Sequence, residues 1–203
     1  MKKLYLFRHG ETDWNKEDRL QCSIDIELNS TGLQQAKENA QLLKDFGIEY
    51  IYSSPLKRVY RTAQILSEII NVNIEIIDGL KEMNGGDCEG MLKKDVKQLI
   101  GIENYEKFYH TPNEILDFRL PNGESKREIR ERIFNSVLDI CKNTPYNTIG
   151  IASHGFVLRE FIRALNFQDD SGLKNCECIE AEFNGENIKI IRRIKKDEKT
   201  ISI

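Results

Sequence analysis

Strand-type and helix-type patterns alternate along this chain, and that alternation restricts the architectures open to it more than any other feature. Apolar runs rich in β-branched and aromatic residues lie at Leu4 to Phe7, Ile48 to Tyr52, Ile74 to Ile77 and Thr148 to Ala152. Each is followed by Gly, Ser, Asn or Pro, which read as strand ends. Between them the apolar residues recur at helical spacing. Leu33, Ala36, Ala40 and Leu43 share one face before Gly47, and Val59, Ala63, Leu66 and Ile70 do so beyond Pro55. Ile129, Ile133, Val137 and Ile140 precede the fourth strand, and Phe156 to Leu165 follows it as a helix. Parallel strands need long crossovers, so this order predicts an α/β three-layer sandwich: a mostly parallel sheet with helices on both faces. Ile179 to Phe183 and Ile188 to Ile194 flank Asn184-Gly185, a hairpin signal that predicts an antiparallel pair at one edge.

At 203 residues the chain fits one domain spanning 1–203, with no internal repeat or linker. Residues 80–122 break the pattern, with Gly85-Gly86, Pro112, Pro121 and short charged helical stretches, and read as an irregular insertion covering a site. Lys195 to Ile203 reads as a frayed polar tail. Lys and Arg number 30 against 33 Asp and Glu, a net charge of −3, which argues against a nucleic-acid-coating protein. Arg192-Arg193 with Lys195-Lys196 is accordingly read as a solvated face or tail. No window approaches the ~18 apolar residues that a membrane span needs, and Met1-Lys-Lys precedes too short an apolar run for a secretory signal. A cytoplasmic protein without membrane contact is expected. Cys22, Cys88, Cys141, Cys176 and Cys178 contain no CxxC pair, so neither a disulfide framework nor a metal site is expected, and Cys176-x-Cys178 is read as two buried thiols facing one side of an extended segment. Trp14 is read as a core residue and His110 as a solvent-side one.

Chemistry-bearing residues gather at the strand ends. Arg8-His9-Gly10-Glu11-Thr12 follows the first strand and Ser53-Ser54-Pro55-Leu56-Lys57-Arg58 the second. Glu82 comes after the third and Ser153-His154-Gly155 after the fourth. In an open parallel sheet, ligands bind beyond the carboxyl ends of the strands, so the four clusters are placed to share one pocket. Two guanidinium forks offer paired donors to a phosphate dianion, each pair of the order of 4 kcal/mol at ~4 Å and an effective dielectric near 20, before desolvation. Arg8 and Arg58 also lower the pKa of a neighbouring imidazole, leaving His9 a free nitrogen for attack on phosphorus. A carboxyl such as Glu82, facing bound phosphate, is suited to general acid chemistry.

The run Leu6-Phe7-Arg8-His9-Gly10-Glu11-Thr12-Asp13-Trp14-Asn15 resembles the opening of the histidine phosphatase superfamily, in its phosphoglycerate-mutase-like branch. Further matches follow in order: Arg19-Leu20-Gln21, Leu28 to Gly32 with Gln35-Ala36, Ser53-Ser54-Pro55 through Arg58, Thr62 and Ala63, Glu82, Leu120 to Ser125, and Ser153-His154-Gly155. The resemblance implies that His9 is phosphorylated, that Arg8, Arg58 and His154 clamp the phosphoryl group, and that Glu82 is the proton donor and later the base for water. It further implies that Asn15, Gln21 and the backbone of Cys22 and Gly155 complete the pocket, with no metal and no organic cofactor. The expected activity is that of a metal-independent, histidine acid-type phosphatase, a phosphoric monoester hydrolase acting on a small phosphorylated metabolite.

This chain has Cys22 where the family usually has Gly, Glu27 where it has Pro, and Cys88 where it has Trp before Glu89-Gly90. Cys22 thereby puts a thiol near cationic groups able to stabilise its thiolate. Lys81-Glu82-Met83-Asn84-Gly85-Gly86 does not resemble the mutases' Glu-Arg-His-Tyr-Gly motif, which favours ester hydrolysis over phosphoglycerate mutase activity. A phospho-ligand-binding module without turnover is a further alternative, disfavoured because the full set of reactive residues is present.

Overall fold

The computed structural model describes residues 1–111, 113–169 and 171–194. In chain order the elements are β1 (Lys2–Arg8), α1 (Asp13–Lys16), α2 (Ser30–Leu43), β2 (Tyr50–Ser53), α3 (Lys57–Ile70), β3 (Ile74–Ile76), α4 (Lys93–Ile100), α5 (Ile102–His110), α6 (Lys126–Asn143), β4 (Thr148–Ser153), α7 (Gly155–Ala164), β5 (Cys178–Phe183) and β6 (Ile188–Ile194). The strands form a 6-stranded sheet in the order β3-β2-β4-β1-β5-β6. The first four in that order are parallel, while β5 runs antiparallel to both β1 and β6.

Successive side chains of a strand point to opposite faces, and β1 shows what that does here. Leu4 and Leu6 join the core under α6 and α7, with Ile129, Ile133, Val137, Val157 and Phe161. Tyr5 and Phe7 join the core under α2 and α3, with Ala36, Ala40, Leu43, Val59, Ala63 and Leu66. The sheet is therefore buried on both faces, which is why its central strands are apolar at every position rather than at alternate ones. The helix patterns lie where their spacing predicts. α6 opens on a capping box in which the Ser125 hydroxyl accepts from the Glu128 N–H and the Glu128 carboxylate accepts from the Ser125 N–H.

The hairpin between β5 and β6 lies where it was expected and turns over residues 184–187, in which the Asn184 side chain accepts from the N–H groups of Glu186 and Asn187 as an Asx turn. Two other expectations need correction in detail. Cys176 has φ +59, so the Cys176-x-Cys178 segment is not extended, although both thiols are buried. Trp14 is half-buried against Gly90, where a Cβ would stand 3.2 Å from the indole ring.

The insertion at 80–122 is more ordered than its composition suggests. It carries α4 and α5, whose Val96 and Phe108 are fully buried, and Phe108 stacks on Phe156 of α7 with ring centroids 5.2 Å apart. Burial of an aromatic ring of this kind is worth several kcal/mol, enough to fix a short helix that propensity alone would leave marginal. Arg192 pairs with Glu180 and Arg193 with Asp169, so these two cations are engaged in ion pairs rather than simply solvated. The expectation for Lys195 to Ile203 lies outside the described residues. Among the described residues, no helix is long and apolar enough to cross a membrane.

Candidate active site

The four motifs meet beyond the carboxyl ends of β1, β2 and β4. A cavity of about 410 Å³ is lined there by Arg8, His9, Asn15, Gln21, Cys22, Arg58, Glu82 and Gly155. His154 sits behind this wall and is wholly buried.

His9 follows β1 and is 3% exposed. Its Nδ1 lies 2.7 Å from the carbonyl oxygen of Gly10, an acceptor, so the ring proton resides on Nδ1 and Nε2 carries the free lone pair. Burial, then the guanidiniums of Arg58 and Arg8, hold its pKa well below the ordinary histidine value. The imidazole is therefore neutral and nucleophilic through the physiological range. Gly10 cannot be anything larger: a Cβ there would stand 2.4 Å from the carbonyl oxygen of Gly32. Its N–H donates to the Thr62 hydroxyl, which ties the turn after β1 to α3.

His154 caps α7 and meets His9 edge-on, with ring centroids 5.4 Å apart. Its Nε2 is 2.8 Å from the Ser54 hydroxyl, which itself accepts from the Leu56 N–H. That hydrogen bond holds the imidazole in place, with its Nδ1 buried and without a protein partner. Burial, then the guanidinium of Arg58, push its pKa well down too.

The two arginines are braced rather than free. Arg58 is 0% exposed, and its Nη1 and Nη2 each donate to a main-chain carbonyl, of Ile24 and Cys22, at 2.7 Å. Arg8 donates from Nη1 to Leu173 at 2.8 Å. Both Nε atoms are buried without partners. Because each terminal nitrogen carries two N–H groups, the forks stay aimed with donors in reserve for an anion. Gly155 lets Arg8 lie flat against the start of α7, since a Cβ would stand 3.0 Å from its Nε.

Glu82 reaches across to α7. Its carboxylate accepts from the N–H groups of Phe156 and Val157 at 3.2 Å each and from that of Met83 at 3.0 Å. An acidic group thus occupies the helix N-terminus, a place equally suited to phosphate oxygens. Arg132 of α6 fixes the segment that presents Glu82 by donating to the carbonyls of Gly79 and Lys81. Glu89 and Asp87, neighbours in sequence, are committed elsewhere, Glu89 to Ser23 and Gly85 and Asp87 to Asn122.

Asn15 and Gln21 line the cavity on different terms. The Asn15 side-chain oxygen accepts from the Thr12 N–H in the capping box of α1, which leaves its NH2 for a ligand. Gln21 is 8% exposed with its side-chain oxygen unpaired. Cys22 has φ +47, the left-handed region where glycine is free of Cβ strain, which explains why glycine suits this position. Its thiol is directed at Gly85, where a Cβ would come within 2.4 Å of Sγ. The expectation of a stabilised thiolate is corrected: burial, then Glu82 and Glu89, push the Cys22 thiol well up despite Arg58. We predict that iodoacetamide leaves Cys22 unmodified in the native protein at pH 7.5 and alkylates it after denaturation, as read by peptide mass mapping. His110 is exposed at the cavity rim, 3.6 Å from Glu106. Among the described residues, no three His, Cys, Asp or Glu side chains converge as a metal site.

The two buried histidines also make a stability prediction. Their pKa values are lower in the folded protein than the ~6.5 of the unfolded chain, so the unfolded chain binds more protons below that pH. The stability they permit is full above pH ~6.5 and is lost as pH falls below it. Denaturant midpoints measured at pH 7 and pH 5 should show this, and His154→Asn should remove its share of the difference.

Sequence reasoning missed several contributors. Ser54 hydrogen-bonds Nε2 of His154, Thr62 ties down the turn after His9, and Arg132 holds the segment before Glu82. Arg159 and Tyr109 also line the cavity. Ser54 and Thr62 lie inside motifs already singled out, whereas nothing local marks Arg132, Arg159 or Tyr109, which come from helices that reach the site only through packing.

A strand-end histidine braced between arginines, beside a carboxylate on a neighbouring loop, defines a class of phosphoryl-handling enzymes. Residues 4–194 match the model of the histidine phosphatase superfamily, branch 1. The chain belongs to that superfamily, whose members here include phosphatases and mutases. It is 34% identical over 169 residues to the uncharacterized phosphatase PhoE of Bacillus subtilis, covering 83% of this chain and 80% of that one. It is 37% identical over 160 residues to the probable phosphoglycerate mutase GpmB of Escherichia coli, covering 78% of this chain and 72% of that one. Among solved structures, a phosphoserine phosphatase variant from Entamoeba histolytica in complex with phosphoserine superposes with a TM-score of 0.80 at 31% identity, covering 97% of this chain and 98% of that one.

Proposed function

We propose that this chain is a phosphomonoesterase that hydrolyses a small phosphorylated metabolite through a phosphohistidine on His9. The observation that carries this reading is the state of His9: neutral, with Nδ1 tied to the Gly10 carbonyl and Nε2 free, between two arginines held by main-chain carbonyls. Nε2 attacks phosphorus and the ester oxygen leaves with a proton from Glu82. The Glu82 carboxylate then takes a proton from water, whose oxygen attacks the phosphohistidine and releases His9 and inorganic phosphate. Arg8, Arg58 and His154 meet the charge on the equatorial oxygens, the largest contribution in phosphoryl transfer. For this to happen Glu82 must give up the amides of Phe156 and Val157. The arriving phosphate takes over that helix N-terminus, and the carboxyl swings toward the leaving oxygen. Asn15, Gln21 and the backbone of Cys22 and Gly155 border the same anion.

A mutase differs only in the acceptor, a second hydroxyl in place of water, and the relationship to GpmB keeps that reading in view. Rapid quench of a turnover mixture in base, followed by mapping of acid-labile phosphate, should find the label on His9. Phosphate release without added bisphosphoglycerate supports hydrolysis. A label on another residue, or none, sinks the mechanism.

A further inference from the structure

The cavity wall opposite the motifs is built from α5 and α7, and it carries polar groups with nothing to bind. Arg159 projects from α7 with its guanidinium carbon 4.7 Å from the ring centroid of Phe156 and 5.8 Å from that of Tyr109. Its Nε and Nη2, and the Tyr109 hydroxyl, are buried and have no hydrogen-bond partner. The carboxylate that Arg159 approaches is Glu160, at 3.9 Å, beyond hydrogen-bond reach. Glu160 is already taken: Oε1 accepts from Arg163 at 2.8 Å and Oε2 from Arg130 at 2.9 Å. Lys126 shares the same neighbourhood, where burial and the three arginines lower its pKa to about 8.

The two unpaired donors of Arg159 have a defined shape. Nε–H and the adjacent Nη2–H lie on one edge of the planar guanidinium, the edge that receives two oxygens of a carboxylate or phosphate side by side. The Phe156 and Tyr109 rings stand within cation–π distance of the group. The side chain keeps 15% of its surface open, so a small swing brings the edge into the cavity it already lines. Phe156, on whose ring Arg159 rests, donates its N–H to Glu82, so this wall adjoins the proposed proton donor and with it the leaving group.

We propose that Arg159 and Tyr109 form a second anion subsite, which selects phosphomonoesters whose leaving alcohol carries a carboxylate or a second phosphate. The proposal rests on the phosphomonoesterase reading above and deepens it, since the reacting phosphate is held by Arg8 and Arg58 while the far end is read by Arg159. Tyr109 adds a neutral donor that reaches an oxygen without adding charge.

Matched probe pairs separate this subsite from the reaction itself. O-phosphoserine against phosphoethanolamine differs by one carboxylate, and 1,3-propanediol bisphosphate against 3-hydroxypropyl phosphate differs by one phosphate. The wild-type protein should prefer the acidic member of at least one pair by ten-fold or more in kcat/KM, and the pair that shows it identifies the anion. Arg159→Met keeps the length and the aromatic contacts but removes the fork, and should lower that ratio at least ten-fold, mainly through KM. Tyr109→Phe, which removes a single hydroxyl, should lower it several-fold, and Arg159→Lys should restore it in part. The same pairs titrated calorimetrically into His9→Ala test the subsite even if turnover follows another route. No acidic preference in either pair, or a ratio unchanged in both Arg159→Met and Tyr109→Phe, overturns the subsite. Loss of p-nitrophenyl phosphate hydrolysis without a label on His9 would instead overturn the parent mechanism.

Discussion

Replacing His9 by alanine should lower turnover by about 10⁴-fold or more while leaving the chain folded. Removal of a nucleophile costs far more than removal of a binding contact, and in the proposed mechanism His9 is the group that forms the covalent intermediate. Water at the vacated position lacks the lone pair that Gly10 aligns through Nδ1. The structural cost is small by comparison. The variant leaves the Gly10 carbonyl without its imidazole partner, a loss of about 1 kcal/mol, and it removes a buried ring that is itself unfavourable to protonate. Circular dichroism and the thermal midpoint at pH 7.5 should stay near wild type, and base-quenched turnover mixtures should contain no acid-labile phosphate. A variant that keeps a tenth or more of the wild-type rate would move the nucleophile elsewhere.

Replacing Glu82 by glutamine should split substrates by leaving group. An alkyl oxygen needs a proton in the transition state, and a positioned acid contributes about 10² to 10⁴ in rate, whereas nitrophenolate leaves without one. Single-turnover phosphorylation by p-nitrophenyl phosphate should therefore survive in Glu82→Gln while that by alkyl phosphates falls by at least about 10². The second half-reaction loses its base as well. A burst of nitrophenol should precede slow hydrolysis, with the phosphoenzyme accumulating beyond its wild-type level. The amide's oxygen can still accept from Phe156 or Val157, so the start of α7 should keep its shape. Equal slowing of phosphorylation by both substrates would mean that Glu82 holds α7 rather than moving a proton. Glu89 and Asp87 are poor substitutes, because Glu89 is already bonded to Ser23 and Gly85 and Asp87 to Asn122.

Both predictions depend on residues that sequence alone brought forward, and the reason is local. His9, Arg58 and His154 each lie in the few residues after a strand or at the start of a helix. In a parallel sheet those positions share one edge whatever the details of packing. The alternation of apolar patterns was enough to place the strands, since Leu4 to Phe7 of β1 and Ile149 to Ser153 of β4 are buried on both faces. The C-terminal hairpin was legible for the same kind of reason, while its loop type was not. The Asn184 side chain, accepting from Glu186 and Asn187, chose a longer turn than Asn-Gly by itself suggests.

Sequence by itself determined which segments are strands and helices, the two-sided core and the polar groups at the strand ends, because these follow from periodicity and short-range spacing. Only tertiary structure decided the electrical and hydrogen-bonding state of those groups. The Ser54 hydroxyl meets Nε2 of His154 across 100 residues of chain, and Arg132 holds the loop bearing Glu82 from a helix about 50 residues further on. The Cys22 thiol, which its cationic neighbours in sequence suggested would ionise, is kept protonated by burial and by carboxylates from a distant loop. Arg159, on a helix whose pattern reads simply as core-facing, becomes a cavity residue only because α5 packs Tyr109 beside it. Periodicity reports which face of an element is apolar, whereas the field and the partners at a given atom come from whichever elements the packing brings within a few ångströms.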